Sequence, residues 1–216
     1  KKNDKIFSVS ESIKEALEVN GISNIETVHN GIDAEEWQVK EISGNNILFV
    51  GRVDEAKGIR VLIKVFEDIS SEVPNAKLTI VGDGEFNAGS NKNIRVLPWQ
   101  DRENMKRIFS EIKVIIVPSL YLDPFPTVNL EAMVSVKPVV GTCFGGTPEV
   151  VKDNETGYIV NPYNEKELAE KIIDLLKNPE KAAQFGNNGR ERVKNFFSLK
   201  SQIQKTLFWY NKFLSK

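Results

Sequence analysis

Cysteine is nearly absent. Cys143 stands alone in 216 residues, which excludes an internal disulfide and any multi-cysteine zinc site. Histidine is as scarce, with His29 the one example, so a histidine-based metal site is not expected. An excess of charge is lacking too: 29 Lys and Arg against 30 Asp and Glu leave a net charge of −1. That argues against a broad electrostatic footprint for nucleic acid. No apolar run approaches the roughly 18–20 residues needed to span a bilayer. Internal repeats and low-complexity tracts are missing. There is no initiator methionine and no signal-like apolar segment; the chain opens with "KKNDKIFSVS", already entering a strand. The expectation is a piece cut from a longer protein.

What is present describes an ordinary globular chain, 40% apolar and 27% charged, able to bury a core. Short apolar runs alternate with amphipathic stretches, the pattern of a parallel sheet with helices on both faces. "KIFSVS", "IETVHNGID", "NNILFVG", "AKLTIVG", "IRVL", "KVIIVPS", "PVVGT" and "GYIV" read as strands. Between them, Ser10 caps a helix running to about Val19, and "GIRVLIKVFEDIS", "RENMKRIFSEI" and "TVNLEAMVS" read as helices. "EKELAEKIIDLLK" places Leu168, Ile172, Leu175 and Leu176 on one helical face. Three strands are almost wholly apolar, as when both sheet faces are covered. The fold class is α/β: a doubly wound, Rossmann-like parallel sheet over residues 39–197. Residues 1–38 hold too little for a core of their own. Residues 198–216 form a helix with Ile203, Leu207, Tyr210 and Leu214 on one stripe, widened by Phe208 and Trp209. Two readings stay open for it: packing within the protein, including against a domain absent here, or seating on a membrane surface.

In open α/β sheets ligands bind beyond the carboxyl ends of the strands, so the residues that follow each strand carry the chemistry. After "ILFV", Gly51 permits a close turn, and Arg52 and Lys57 flank a helix start, an arrangement that suits a phosphate or diphosphate. The bland alternative is a solvated loop with surface cations. "GDGE" contains Gly82 and Gly84 but is no dinucleotide fingerprint, because Asn87 stands where a third glycine would fall. After "KVIIVPSLYL" comes "DPFPTVNLEAM". Pro126 suits the first turn of a helix. Thr127, Val128 and Asn129 would then offer free backbone N–H groups at the positive end of the dipole. Glu131 lies about one turn in, and Asp123 precedes the helix on the loop. "PVVGTCFGGTPEVV" places Gly145 and Gly146 before a short helix with Glu149, for which capping is an equally good account. No D-x-D pair occurs, so a diphosphate held without metal needs side-chain cations and helix dipoles.

These residues resemble the C-terminal, donor-binding domain of family-4 retaining glycosyltransferases, enzymes of two Rossmann-like domains known as the GT-B architecture. The matching pieces are "FVGRVDEAKGIRVLIKVF", "LTIVGDGE", "VIIVPSLYLDPFPTVNLEAM" and "PVVGTCFGGTPEVVKDNETGYIV"; upstream, "FSVSESIKEAL" and "VHNGID" look like the last N-domain elements and the crossover. The resemblance implies that Arg52 and Lys57 neutralise the diphosphate of a nucleotide-sugar and that Glu131 takes the ribose hydroxyls. It implies that Asp123, where the family has glutamate, meets the transferred sugar. It further implies contacts near Gly51, backbone groups from Phe125 and Pro126 to Thr127 and Val128, and a base pocket around Trp99 and Gln100. The implied activity is transfer of a sugar with retention of configuration, in glycan, glycolipid or polysaccharide synthesis. No cofactor and no essential metal are implied. The acceptor site would belong to the absent N-terminal domain, the chain's expected partner, and the chain alone would bind donor without transferring it. Two departures stand out: Asp123 is one methylene shorter than glutamate, and Pro126 replaces a frequent glycine, removing one N–H donor. His29 lies in the crossover segment, where a structural role is expected. A nucleotide-sugar epimerase of the same build and a non-catalytic sugar-nucleotide-binding module are the alternatives. The location implied is cytoplasmic, with peripheral membrane attachment left open.

Overall fold

The computed structural model describes residues 5–37, 39, 44–84 and 91–214. In chain order the elements are β1 (Ile6–Ser8), α1 (Glu11–Val19), β2 (Ile25–Thr27), β3 (Asn45–Val50), α2 (Ile59–Glu72), β4 (Ala76–Val81), β5 (Ile94–Leu97) and α3 (Arg102–Ser110). They continue with β6 (Val114–Val117), α4 (Thr127–Val134), β7 (Val139–Thr142), α5 (Thr147–Val150), β8 (Gly157–Val160), α6 (Glu165–Lys177), α7 (Pro179–Phe196) and α8 (Leu199–Leu214). A 3-10 turn at Ala34–Glu36 follows β2.

β1 and β2 pair parallel as a separate two-stranded sheet. The other six strands form one parallel sheet in the order β5-β4-β3-β6-β7-β8. Alternation along each strand divides its side chains between two helical layers. Ile47 and Phe49 of β3, Leu78 and Ile80 of β4, and Val114 and Ile116 of β6 pack with α2 and α6. Leu48, Ile115 and Val117 point the other way, into a cluster with Phe109 of α3, Leu130 and Met133 of α4, and Val193 of α7. All four residues of β6 are buried, so this central strand is apolar on both sides, as a covered parallel sheet requires. α2 presents Ile59, Leu62, Val65, Phe66 and Ile69 to the first layer; each such side chain contributes roughly 1.5–3 kcal/mol at most.

Two features depart from the sequence pattern. α7 spans 18 residues, although no apolar stripe marks it in advance. The expected stripe on α8 is not covered: Ile203, Leu207, Tyr210 and Leu214 are all exposed, and α8 buries no residue fully. Its contacts with the rest of the protein include Trp209, whose ring lies 6.4 Å from that of Phe7, and Gln202, whose side-chain oxygen accepts the Gly31 amide at 2.9 Å. The boundary expected between residues 38 and 39 falls where only residue 39 is described from 38 to 43. Asn87 also lies outside the described residues. Among the described residues no helix is long and apolar enough to cross a membrane.

Candidate functional site

The strand order reverses between β3 and β6: the chain winds outward from β3 to β5, then returns to β6 and winds the other way to β8. At such a switch point the two neighbouring loops diverge from the sheet in opposite senses and leave a crevice. Here the loops are those of residues 51–58, after β3, and 118–126, after β6. They are tied together by the Leu120 amide, which donates to the Ala56 carbonyl at 2.7 Å. Between and beyond them lies a cleft of about 710 Å³.

Nine of the eleven residues expected from sequence meet on its wall: Gly51, Arg52, Lys57, Trp99, Gln100, Pro126, Thr127, Val128 and Glu131. Arg52 is largely exposed and pairs with Asp54 at 3.3 Å. The Asp54 carboxylate also accepts the Lys57 amide at 2.9 Å, fixing the turn between the two cations. Lys57 is the more enclosed cation, its side chain 20% exposed. Burial alone would push its ammonium down; the bond and charge of Asp123, with a contribution from Tyr121, outweigh this and hold it above the ordinary lysine value. The Lys57 Nζ also lies 5.4 Å from the centre of the Tyr121 ring.

Facing these cations is the start of α4. Pro126 is its N-cap rather than its first helical residue, with φ −62° and ψ 106°. Helical geometry leaves the Thr127 and Val128 amides without an intrahelical acceptor. The Asn129 amide, expected to be free, instead donates to the Pro126 carbonyl at 3.1 Å. Glu131, one turn along, turns into the cleft, and burial pushes its carboxyl above the usual range, opposed by the charge of Arg102. A partly desolvated carboxylate that lines a cleft is ready to accept hydroxyl donors. Trp99 is 62% exposed at the far end of the cleft, where its amide donates to Asp83 at 3.2 Å and Gln100 donates to the Pro98 carbonyl at 2.8 Å.

Asp123 and Phe125 are not on that wall. Asp123 is 5% exposed. Its Oδ2 takes the Lys57 Nζ at 2.5 Å and the Ser119 hydroxyl at 3.0 Å. The Phe125 ring is buried against His29 and Phe197, at 5.6 and 6.1 Å between ring centres. The two carboxylates of "DPFPTVNLEAM" thus occupy different environments, Glu131 lining the cleft and Asp123 buried against Lys57.

The sequence pattern of the family described as "Glycosyl transferases group 1" matches residues 33–192, the stretch that holds most of this cleft. The chain belongs to that family. An uncharacterised glycosyltransferase of Methanocaldococcus jannaschii is 32% identical over 202 residues, covering 90% of this chain and 56% of its own length. N-acetyl-alpha-D-glucosaminyl L-malate synthase of Bacillus anthracis is 30% identical over 230 residues, covering 97% and 60%. Among solved structures, that of Anabaena HepE in complex with UDP-glucose superposes with a TM-score of 0.86 at 18% identity, over 96% of this chain and 64% of that one. The fold of this group 1 glycosyltransferase domain is therefore that of GT-B proteins. The chain spans a little over half the length of these relatives.

The same cleft in this glycosyltransferase domain is lined by residues that strand-end reasoning did not single out, among them Trp37, Arg102, Met105 and Tyr121. Arg102 opens α3 just beyond β5 and pairs with Glu36 of the 3-10 turn. The rule that ligands bind beyond strand carboxyl ends, applied after β5, would have reached it. Trp37 carries no such signal; it is buried edge-on to Phe109, with ring centres 5.3 Å apart.

Proposed function

We propose that this chain is the donor-binding half of a retaining glycosyltransferase that uses a nucleotide-diphosphate sugar. The observation that carries the reading is the convergence at the sheet's switch point of Arg52, Lys57, the α4 N-terminus and Glu131 on one cleft. An elongated ligand with a doubly charged centre and a hydroxyl-bearing ring beside it matches that arrangement. Arg52 and Lys57 would meet the diphosphate, with the Thr127 and Val128 amides opposite. Glu131 would accept the ribose hydroxyls, and Trp99 and Gln100 would border the base.

In the transfer, the bond between the anomeric carbon and the β-phosphate oxygen breaks, and its electron pair leaves with the nucleoside diphosphate. The negative charge that develops there is opposed by Lys57 and Arg52, placed before the reaction begins. The acceptor hydroxyl oxygen forms the new bond at the same face of the sugar, and its proton passes to the departing phosphate oxygen. That acceptor would be held by the remainder of the protein, so the chain alone binds donor without turning it over. Cationic side chains and a helix end supply the diphosphate's counter-charge without an essential metal. The whole protein works in the cytoplasm, where nucleotide-sugars are made, with peripheral contact to the inner membrane face open to it.

Isothermal titration with UDP, GDP, ADP and their sugars tests the reading. One nucleotide series should bind in the micromolar to sub-millimolar range. No heat from any of them at millimolar concentration would contradict it.

A further inference from the structure

Lys57 is the cation best enclosed by the cleft, and its ammonium is not left to find its own direction. Asp123 Oδ2 holds Nζ at 2.5 Å, and the Ser119 hydroxyl steadies the same oxygen at 3.0 Å. Asp123 is itself fixed at both backbone ends: its amide donates to the Tyr121 carbonyl at 2.7 Å, and its carbonyl accepts from Gly146 at 2.9 Å. Its side chain is 6% exposed against 20% for Lys57, so the carboxylate lies behind the ammonium as seen from the cleft. A loop ordered to this degree fixes the carboxylate, and the carboxylate fixes the cation.

We propose, resting on the donor-binding reading above, that Asp123 is a positioning residue that keeps Lys57 charged and aimed at the diphosphate. The short aspartate side chain places its carboxylate against the Lys57 ammonium at 2.5 Å. The groups around that ammonium are Asp123 and Tyr121, with Asp54 bonded to the Lys57 backbone and paired with Arg52. With the charge of Asp123 gone, Tyr121 alone is left to oppose the burial that pushes Lys57 down.

The test compares four ligands on the 216-residue chain: a nucleoside monophosphate, the matching diphosphate, its sugar, and inorganic pyrophosphate. Asp123→Asn should bind the diphosphate and pyrophosphate about tenfold more weakly at pH 7, with little change for the monophosphate. Its diphosphate affinity should fall further from pH 7 to 9, while the parent's stays level, and Asp123→Glu should restore binding to within about threefold. A variant that binds diphosphate like the parent at every pH and loses affinity for the sugar-nucleotide alone would overturn the proposal in favour of a sugar contact. Equal loss for all four ligands, without pH dependence, would overturn it in favour of a purely structural role. A parent that binds neither diphosphate nor pyrophosphate sinks the donor-binding reading itself. Should Asp123→Asn fail to fold, the parent decides: its Lys57 ammonium should give an NMR correlation at neutral pH that persists with diphosphate bound. Absence of that signal overturns the proposal.

Discussion

The Nε2 of His29 lies 2.8 Å from Oε2 of Glu149, and this pair joins the segment before the main sheet to the helix that follows β7. The same carboxylate accepts the amides of Glu11 and Ser12 at 2.9 Å each, capping α1 from 137–138 residues away in sequence. Capping was indeed the alternative account of Glu149, but the helix it caps is α1 rather than its own. His29 is packed between Phe125 and Phe197, with the Phe197 ring 5.5 Å away. Glu149→Ala would strip two first-turn amides of their acceptor and remove the partner of His29. The expected cost is about 2 kcal/mol, or about 4–8 °C in Tm for a chain of this size. Hydrogen exchange should show Glu11 and Ser12 losing protection while β3 and β6 keep theirs.

Gly82 tests how closely the loops at the strand ends must approach. Its φ is 153°, and a Cβ placed there would meet the Gly51 carbonyl oxygen at 1.8 Å. Backbone against backbone leaves no flexible group to give way. Gly82→Ala should therefore cost about 3 kcal/mol or more, read as a lowered denaturant midpoint, and should weaken nucleotide binding by displacing Gly51.

Much of this was legible in the sequence because parallel strands buried on both faces are nearly pure apolar runs, as in "VIIV" of β6. The rule that ligands bind at strand carboxyl ends then reached Arg52, Lys57 and Glu131 as candidates beside blander readings, and the family resemblance supplied their roles. α7 was not legible, since Gly186 and Gly189 lower its intrinsic helix propensity. In the structure they let α7 approach α4: a Cβ at Gly186 would meet the Val136 carbonyl oxygen at 2.2 Å, and one at Gly189 the Met133 side chain at 3.1 Å. Nor could spacing show that Asp123 points toward Lys57 rather than into the cleft. That depends on a contact across 66 residues of sequence, which no local pattern records.

Glu131 should trade stability for binding. Burial raises the pKa of its carboxyl above the ordinary value near 4.5. A raised carboxyl pKa means the fold favours the protonated form, so the contribution to stability is full below the unfolded value and is lost as pH rises through the folded one. Glu131→Gln removes that loss. At pH 7 the variant should be the more stable by about 1 kcal/mol, or about 2–4 °C in Tm, and the difference should vanish near pH 3–4. Nucleotide affinity should meanwhile fall about tenfold, because the amide accepts hydroxyl donors less strongly than the carboxylate.

Arg52 and Lys57 should differ in weight. Replacing either by alanine is expected to weaken diphosphate binding by about 1–3 kcal/mol. Lys57, with a side chain 20% exposed against 69% for Arg52, should lie at the upper end and Arg52 at the lower, because water screens the exposed cation more. Titration at 50 and 500 mM salt checks this: the Arg52 contribution should shrink at high salt more than that of Lys57.

The central claim is that a nucleoside diphosphate lies between the two cations and the start of α4. Amide NMR mapping of the 216-residue chain, titrated with the tightest-binding of UDP, GDP and ADP, reads this out residue by residue. The largest shifts are expected at Gly51, Lys57, Thr127 and Val128, with smaller ones at Trp99 and Gln100. Shifts confined to another face, or none at saturating ligand, would contradict it.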